Sequence, residues 1–194
     1  MRFITHILDI LNITGMQRVV PPFETDIIAL RCSTATAQTV QLVFTGNIMI
    51  YYTHNGVEYQ DIRLASDWSG VDMSLPTADA ETDIKIRGNI TQAYFYRPGN
   101  TLNMLALNNT VGQFSMPDSV KTLDMRNAES VNAGNGYGVE TLYAGAKESP
   151  QESICENVIN NSPSGGVVWI NETEAYASQL RAFAIAHGWT VNNL

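Results

Sequence analysis

The stretch LNMLALNN, Leu102 to Asn109, decides the reading of this chain. It sets an apolar residue, two spacers, an apolar residue, one spacer and a third apolar residue in a row: Leu102, Leu105 and Leu107. The same template stands at Ile90, Ala93 and Phe95 before it, and at Val120, Leu123 and Met125 and then Val139, Leu142 and Ala144 after it. Successive matches of this kind mark an internal repeat, each unit being one short strand that buries its apolar positions against its neighbours. The separation of the units grows from about 12 to about 19 residues. That leaves no room for a helix behind each strand, so the connections are expected to be loops or single turns.

Downstream the period changes. In PQESICENVIN, Pro150 to Asn160, the positions Ile154, Cys155, Val158 and Ile159 predict an amphipathic helix with Pro at its start. Pro163 and Gly165-Gly166 end it, and VVWI, Val167 to Ile170, reads as a further ladder strand. Thr173 is expected to cap a second helix with Ala177, Leu180, Phe183, Ala184 and His187 on one face and Gly188 as its stop. Trp189-Thr190-Val191 then forms the last strand.

Upstream, DIIALRC (Asp26 to Cys32), TVQLVFT (Thr39 to Thr45), NIMIYYT (Asn47 to Thr53), EYQDIRL (Glu58 to Leu64) and DIKIR (Asp83 to Arg87) are short, rich in β-branched and aromatic residues, and bounded by turn formers. His54-Asn55-Gly56 reads as a hairpin turn, because Asn-Gly supplies the positive φ that a tight turn demands. Such strands at short intervals predict a small β-sandwich, with Trp68 in a loop at one end of its core. Before it, Pro21-Pro22 marks an extended linker. Residues 1–19 carry Phe3, Ile4, Ile7, Leu8 and Leu11 at helical spacing, an amphipathic arm that either packs on its own domain or docks on another subunit. His6, Asp9 and Asn12 interrupt any secretion-signal core there. The expected organisation is thus an arm at 1–19, a sandwich at 20–88 and a repeat domain at 89–194, a β-rich α+β chain.

Composition narrows the function. Charged residues make up 15% of the chain, well below an ordinary share of roughly a quarter. The net charge of -8, with 11 scattered Lys and Arg, argues against nucleic acid, whose phosphates need clustered cations. Cys32 and Cys155 lie far apart and read as buried free thiols, and no Cys or His pair has zinc-ligand spacing. No stretch approaches the length of a membrane span.

The ending, a strand, a helix and then His187-Gly188-Trp189-Thr190-Val191, resembles the terminal repeat of leucine-rich-repeat proteins of Bacteroides-type gut bacteria and their phages. In those proteins a β-sandwich of immunoglobulin or PKD type often precedes the repeats, and the strands from Val40 to Gly88 are similar to that module. Tyr51-Tyr52-Thr53-His54-Asn55-Gly56 stands where the module's usual Trp-Gly-Asp-Gly-like signature is found. The resemblance implies an Ig/PKD-like sandwich followed by a short irregular leucine-rich-repeat stack capped by two C-terminal helices. It brings no catalytic residues.

No Gly-x-Ser-x-Gly elbow or phosphate loop is present, and His6, His54 and His187 stand outside any catalytic motif. Asp79, Glu81 and Asp83 read as a solvated acidic turn without the calcium-loop pattern. The chain is therefore expected to be no enzyme and to need no cofactor. In the repeat, the spacer residues project onto one open face, which would carry Tyr94, Tyr96, Met104, Asp124, Arg126, Tyr143 and Trp169, with Tyr94, Tyr143 and Trp169 in line. Exposed aromatics with few charges mark interfaces. The expected role is a structural or interaction protein of a phage virion, in capsid decoration or in the tail, contacting other virion proteins or a host-surface glycan or protein. A bacterial surface adhesin and a carbohydrate-active enzyme are the alternatives.

Overall fold

Alternation of apolar and polar residues sets the first strands. β1, Ile28–Cys32, buries Ile28, Leu30 and Cys32 and turns Ala29 and Arg31 the other way. β2, Thr39–His54, joins the two segments read separately from the sequence into one strand of 16 residues. The pairing of β2 with β5, Asp83–Tyr94, shifts register between Thr45 and Met49, near Gly46 at φ +70° and Gly88 at φ +148°. A Cβ on Gly88 would stand 2.7 Å from Ile48 Cγ2, so the close approach at this bulge requires glycine. β3, Val57–Leu64, returns from β2 through Asn55 (φ 52°) and Gly56 (φ 71°), the predicted two-residue turn. Trp68 closes the single turn of helix α1, Ala65–Trp68, where a loop was expected, and packs against the core. β4, Asp72–Ser74, adds to the far half of β2.

The rest of the chain supplies β6 (Leu102–Asn109), β7 (Gln113–Ser115), β8 (Thr122–Ala128), β9 (Thr141–Tyr143), α2 (Ser149–Asn161), β10 (Val167–Ile170), α3 (Ala177–Ala186) and β11 (Thr190–Asn193). The computed structural model describes residues 28–95, 97, 99–109, 113–128 and 138–194. Among these, the chain is a β-rich α+β protein with one mixed sheet in the order β11-β10-β9-β8-β6-β1-β5-β2-β3. β11, β10, β9, β8 and β6 are parallel neighbours, a ladder in which Leu102, Leu105, Leu107, Val120, Leu123, Met125, Val139, Leu142 and Ala144 are all fully buried.

The earliest template match does not join that ladder. Ile90, Ala93 and Phe95 are buried, but β5, which carries the first two and ends just before Phe95, stays hydrogen-bonded antiparallel to β2, and its parallel partner is β7 through Gln92 and Gln113. A template of three apolar positions reports burial on one side and not the identity of the neighbouring strand.

β1 joins the two halves. It pairs antiparallel with β5 on one side and with β6 on the other, so the ladder continues the antiparallel strands in one hydrogen-bonded sheet. The division at 88/89 falls inside β5, and the buried residues from Ile28 to Trp189 form one cluster. α2 and α3 cover the sheet face carrying Leu142, Val168 and Ile170, through Ile154, Cys155, Val158, Ile159, Leu180 and Ala184. Thr173 does not cap α3. Tyr176 holds the cap position without a side-chain bond, while the Thr173 hydroxyl donates to Asn171 Oδ1 at 2.8 Å. Gly188 at φ +77° ends the helix as expected. The Trp189 ring then lies so close to Gly166 that a Cβ there would meet it at 2.8 Å. Both cysteines are buried and unpaired. Among the described residues no helix is long and apolar enough to cross a membrane.

Candidate interaction face

In a strand, successive side chains point to opposite faces, so burying Leu123, Leu142 and Val168 beneath the helices turns Asp124, Tyr143 and Trp169 to the other side. The register sets these outward residues side by side. Asn192 stands opposite Trp169, Trp169 opposite Tyr143, Tyr143 opposite Asp124, and Asp124 opposite Ala106. The row continues through Ala29, Lys85, Tyr51 and Gln60 to the far edge of the sheet.

Within this row the side chains lock one another. The Tyr143 and Trp169 rings are stacked with centroids 6.1 Å apart and planes 16° from parallel. On the other side of Tyr143 the Arg126 guanidinium lies 4.8 Å from its ring centroid. Arg126 is itself held by Asp124 in a two-pronged pair, Nε to Oδ1 at 3.0 Å and a terminal nitrogen to Oδ2 at 2.5 Å. Hydrogen bonding to Asp124 raises the pKa of the guanidinium further, so the charge is permanent. The result is a rib of Trp169, Tyr143 and Arg126, each half-buried, standing on an otherwise neutral strip of Thr122, Thr141 and Val167.

Of the residues predicted for the interface, the structure therefore brings together Asp124, Arg126, Tyr143 and Trp169. Met104 lies on the same face beside Thr122, one pair along the strands. Tyr94 does not belong to the rib. It sits at the end of β5, opposite Gln41 and Ser115, and nine residues beyond Lys85, a separation of roughly 25–30 Å along the strand. Its hydroxyl bonds to Gln92 and Gln113 there. The reason is the antiparallel placement of β5, which removes it from the ladder. Tyr96 and the arm residues Phe3, Ile4, Ile7, Leu8 and Leu11 lie outside the described residues.

A second feature occupies the other end of the sheet. A groove of about 320 Å³ is lined by residues including Tyr51, Thr53, Glu58, Asp83, Lys85 and Arg87, with the Arg87 guanidinium 4.8 Å from the Tyr51 ring centroid. It mixes both signs of charge, which gives no single-sign field for an anionic ligand. The acidic turn of the sequence reading is not simply solvated: Asp83 pairs with Arg31 at 2.8 Å, Glu81 accepts from Asn103, and Asp79 accepts two backbone N–H groups of the β2–β3 turn. Among the described residues no cluster of three or more His, Cys, Asp or Glu is placed to hold a metal ion. Comparison with protein-family models, with curated proteins and with solved structures finds no match.

Proposed function

We propose that this chain is a non-enzymatic structural or interaction protein, and that the Trp169–Tyr143–Arg126 rib is its contact surface. The rib is the observation that carries the proposal. Trp, Tyr and Arg dominate the energetics of protein interfaces. Here each is held in place by its neighbours before any partner arrives, which lowers the entropy cost of docking. Both faces of the Tyr143 ring are already occupied, so the rib offers its edges and the Tyr143 hydroxyl, a form suited to a protein surface more than to stacking on a flat ligand.

The resemblance of the C-terminal segment to leucine-rich-repeat proteins of gut bacteria and their phages supports the finer reading. The parallel ladder is then a short leucine-rich-repeat stack and the antiparallel half a PKD- or Ig-like module. The place of action is a phage virion, in capsid decoration or in the tail, with another virion protein as the partner. Quantitative mass spectrometry of purified virions tests this: the polypeptide is expected at a fixed copy number per particle, and Trp169→Ala is expected to lower its incorporation while leaving the fold intact. Absence from purified particles, with recovery in the envelope of uninfected cells, overturns the reading in favour of a bacterial adhesin.

A further inference from the structure

Among the described residues the sheet ends at β3, and this edge is unusual in what it displays. Of the seven large apolar side chains left exposed among the described residues, four, Val57 (52%), Tyr59 (44%), Ile62 (53%) and Leu64 (45%), belong to this one strand. The two-residue turn makes His54 and Val57 a hydrogen-bonded pair, and bonded pairs alternate along an antiparallel ladder. Val57, Tyr59, Asp61 and Arg63 therefore bond to β2, while the N–H and C=O groups of Glu58, Gln60, Ile62 and Leu64 point away from the sheet. Two of these are occupied from within: Ile62 N donates to Asp61 Oδ1 at 2.9 Å, and the Leu64 carbonyl, at the cap position of α1, accepts the first bond of that helix. Asp61 is also paired with Arg63 at 2.8 Å, on the face where Arg63 lies over Trp68.

We propose that β3 pairs antiparallel with β3 of a second copy of this chain, with Ile62 on the twofold axis. A twofold normal to the sheet keeps each side chain on its own face, so a residue must pair with itself at the centre. Four centres within β3 are open. With Tyr59 central, apolar Val57 faces the Asp61 carboxylate. With Gln60 central, Glu58 faces Ile62 and Arg63 faces Val57. With Asp61 central, the two carboxylates face each other. With Ile62 central, apolar Ile62 meets Ile62, its outward N–H donates to the partner's Ile62 C=O while its own C=O accepts from the partner's Ile62 N–H, and Asp61 faces the partner's Arg63 twice. Opposite charges directly across a strand pair are favourable and like charges unfavourable, so only the Ile62 register, which sets Asp61 against Arg63, is complementary in charge. Asp61 then acts as a latch, covering the Ile62 N–H in the single chain and exchanging its own Arg63 for the partner's on association. The proposal is independent of the rib and of the virion reading.

Sedimentation equilibrium of the full chain tests it. A reversible, concentration-dependent dimer is expected. Asp61→Arg or Arg63→Asp alone should each weaken dimerisation by about tenfold, since each turns two symmetric attractive pairs into repulsive ones. The two single variants mixed should recover it as a heterodimer. The two introduced side chains, of opposite charge, then face each other, and the unchanged Arg63 of the first variant faces the unchanged Asp61 of the second. Ile62→Pro is a second probe: it removes the outward N–H without touching the β2 ladder and should also abolish the dimer. A chain that stays monomeric as concentration rises overturns the proposal, as does a mixture of the single variants that forms no heterodimer.

Discussion

Asp79 accepts the backbone N–H groups of Asn55 at 2.8 Å and Gly56 at 2.9 Å, closing the β2–β3 turn across the sequence. The bond from Gly56 first, and that from Asn55 second, hold its carboxyl below the usual carboxylate range. A group whose pKa is depressed by folding contributes stability above its unfolded pKa, and that contribution is lost as pH falls through the lower, folded value. Amide exchange of Asn55 and Gly56 should therefore stay protected until below about pH 4 and then rise. Asp79→Ala should remove the protection at every pH. Protection that persists in strong acid would mean that the carboxylate does not hold the turn. The thiols make a second case at this scale. Burial pushes Cys155 up to about 12 and Cys32 up to about 11, so neither should react with a thiol reagent at mildly alkaline pH until the protein is unfolded. The acidic loop containing Asp79 is visible in the sequence, but its clasp is not, because the partner turn lies more than twenty residues away.

Single elements separate residues kept for the fold from those free to serve contact. Gly145, just after β9, comes so close to β8 that a Cβ would lie 2.6 Å from the Met125 carbonyl oxygen and 2.8 Å from Gln151 Nε2. Gly145→Ala should cost about 1–3 kcal/mol by overpacking, read as a lower denaturant midpoint at unchanged slope. The two C-terminal tryptophans should behave differently. Trp189 is buried against Gly166, and Trp189→Ala should cost ~3–5 kcal/mol. Trp169 is half-exposed, and Trp169→Ala should stay within about 1 kcal/mol, so that any loss of association is a loss of contact. Periodicity makes this level the most legible. The spacing of Leu102, Leu105 and Leu107 and of its two successors locates the ladder strands and their buried faces, and Asn55-Gly56 locates the hairpin. The start of α3 is not legible in the same way, because Thr173 finds its hydrogen bond in Asn171 rather than at the helix start.

Across the whole molecule, the antiparallel strands and the parallel ladder share one sheet through β1 and one buried cluster. Thermal unfolding should therefore give a single calorimetric transition with matching van't Hoff enthalpy; two resolved transitions would show that the halves fold apart. This continuity is not legible in the sequence. DIIALRC reads as a strand by its alternation, yet nothing local says that it pairs with Leu102–Asn109 some seventy residues on, or that Ile90 to Tyr94 completes β5 instead of opening the ladder. The repeat template sets Tyr94 beside Tyr143 and Trp169 for that reason, whereas it aligns Tyr143 and Trp169 correctly because their units do follow one another in the parallel stack. Among the described residues, the sheet face opposite the helices bears the aromatic rib. If the proposed virion role holds, the most direct test is a photo-crosslinking side chain at position 169 in purified virions, with position 179 on the exposed side of α3 as the control. Covalent capture of a second polypeptide from position 169 but not from 179 is the expected result; no capture from 169, or equal capture from both, would contradict the assignment of this face.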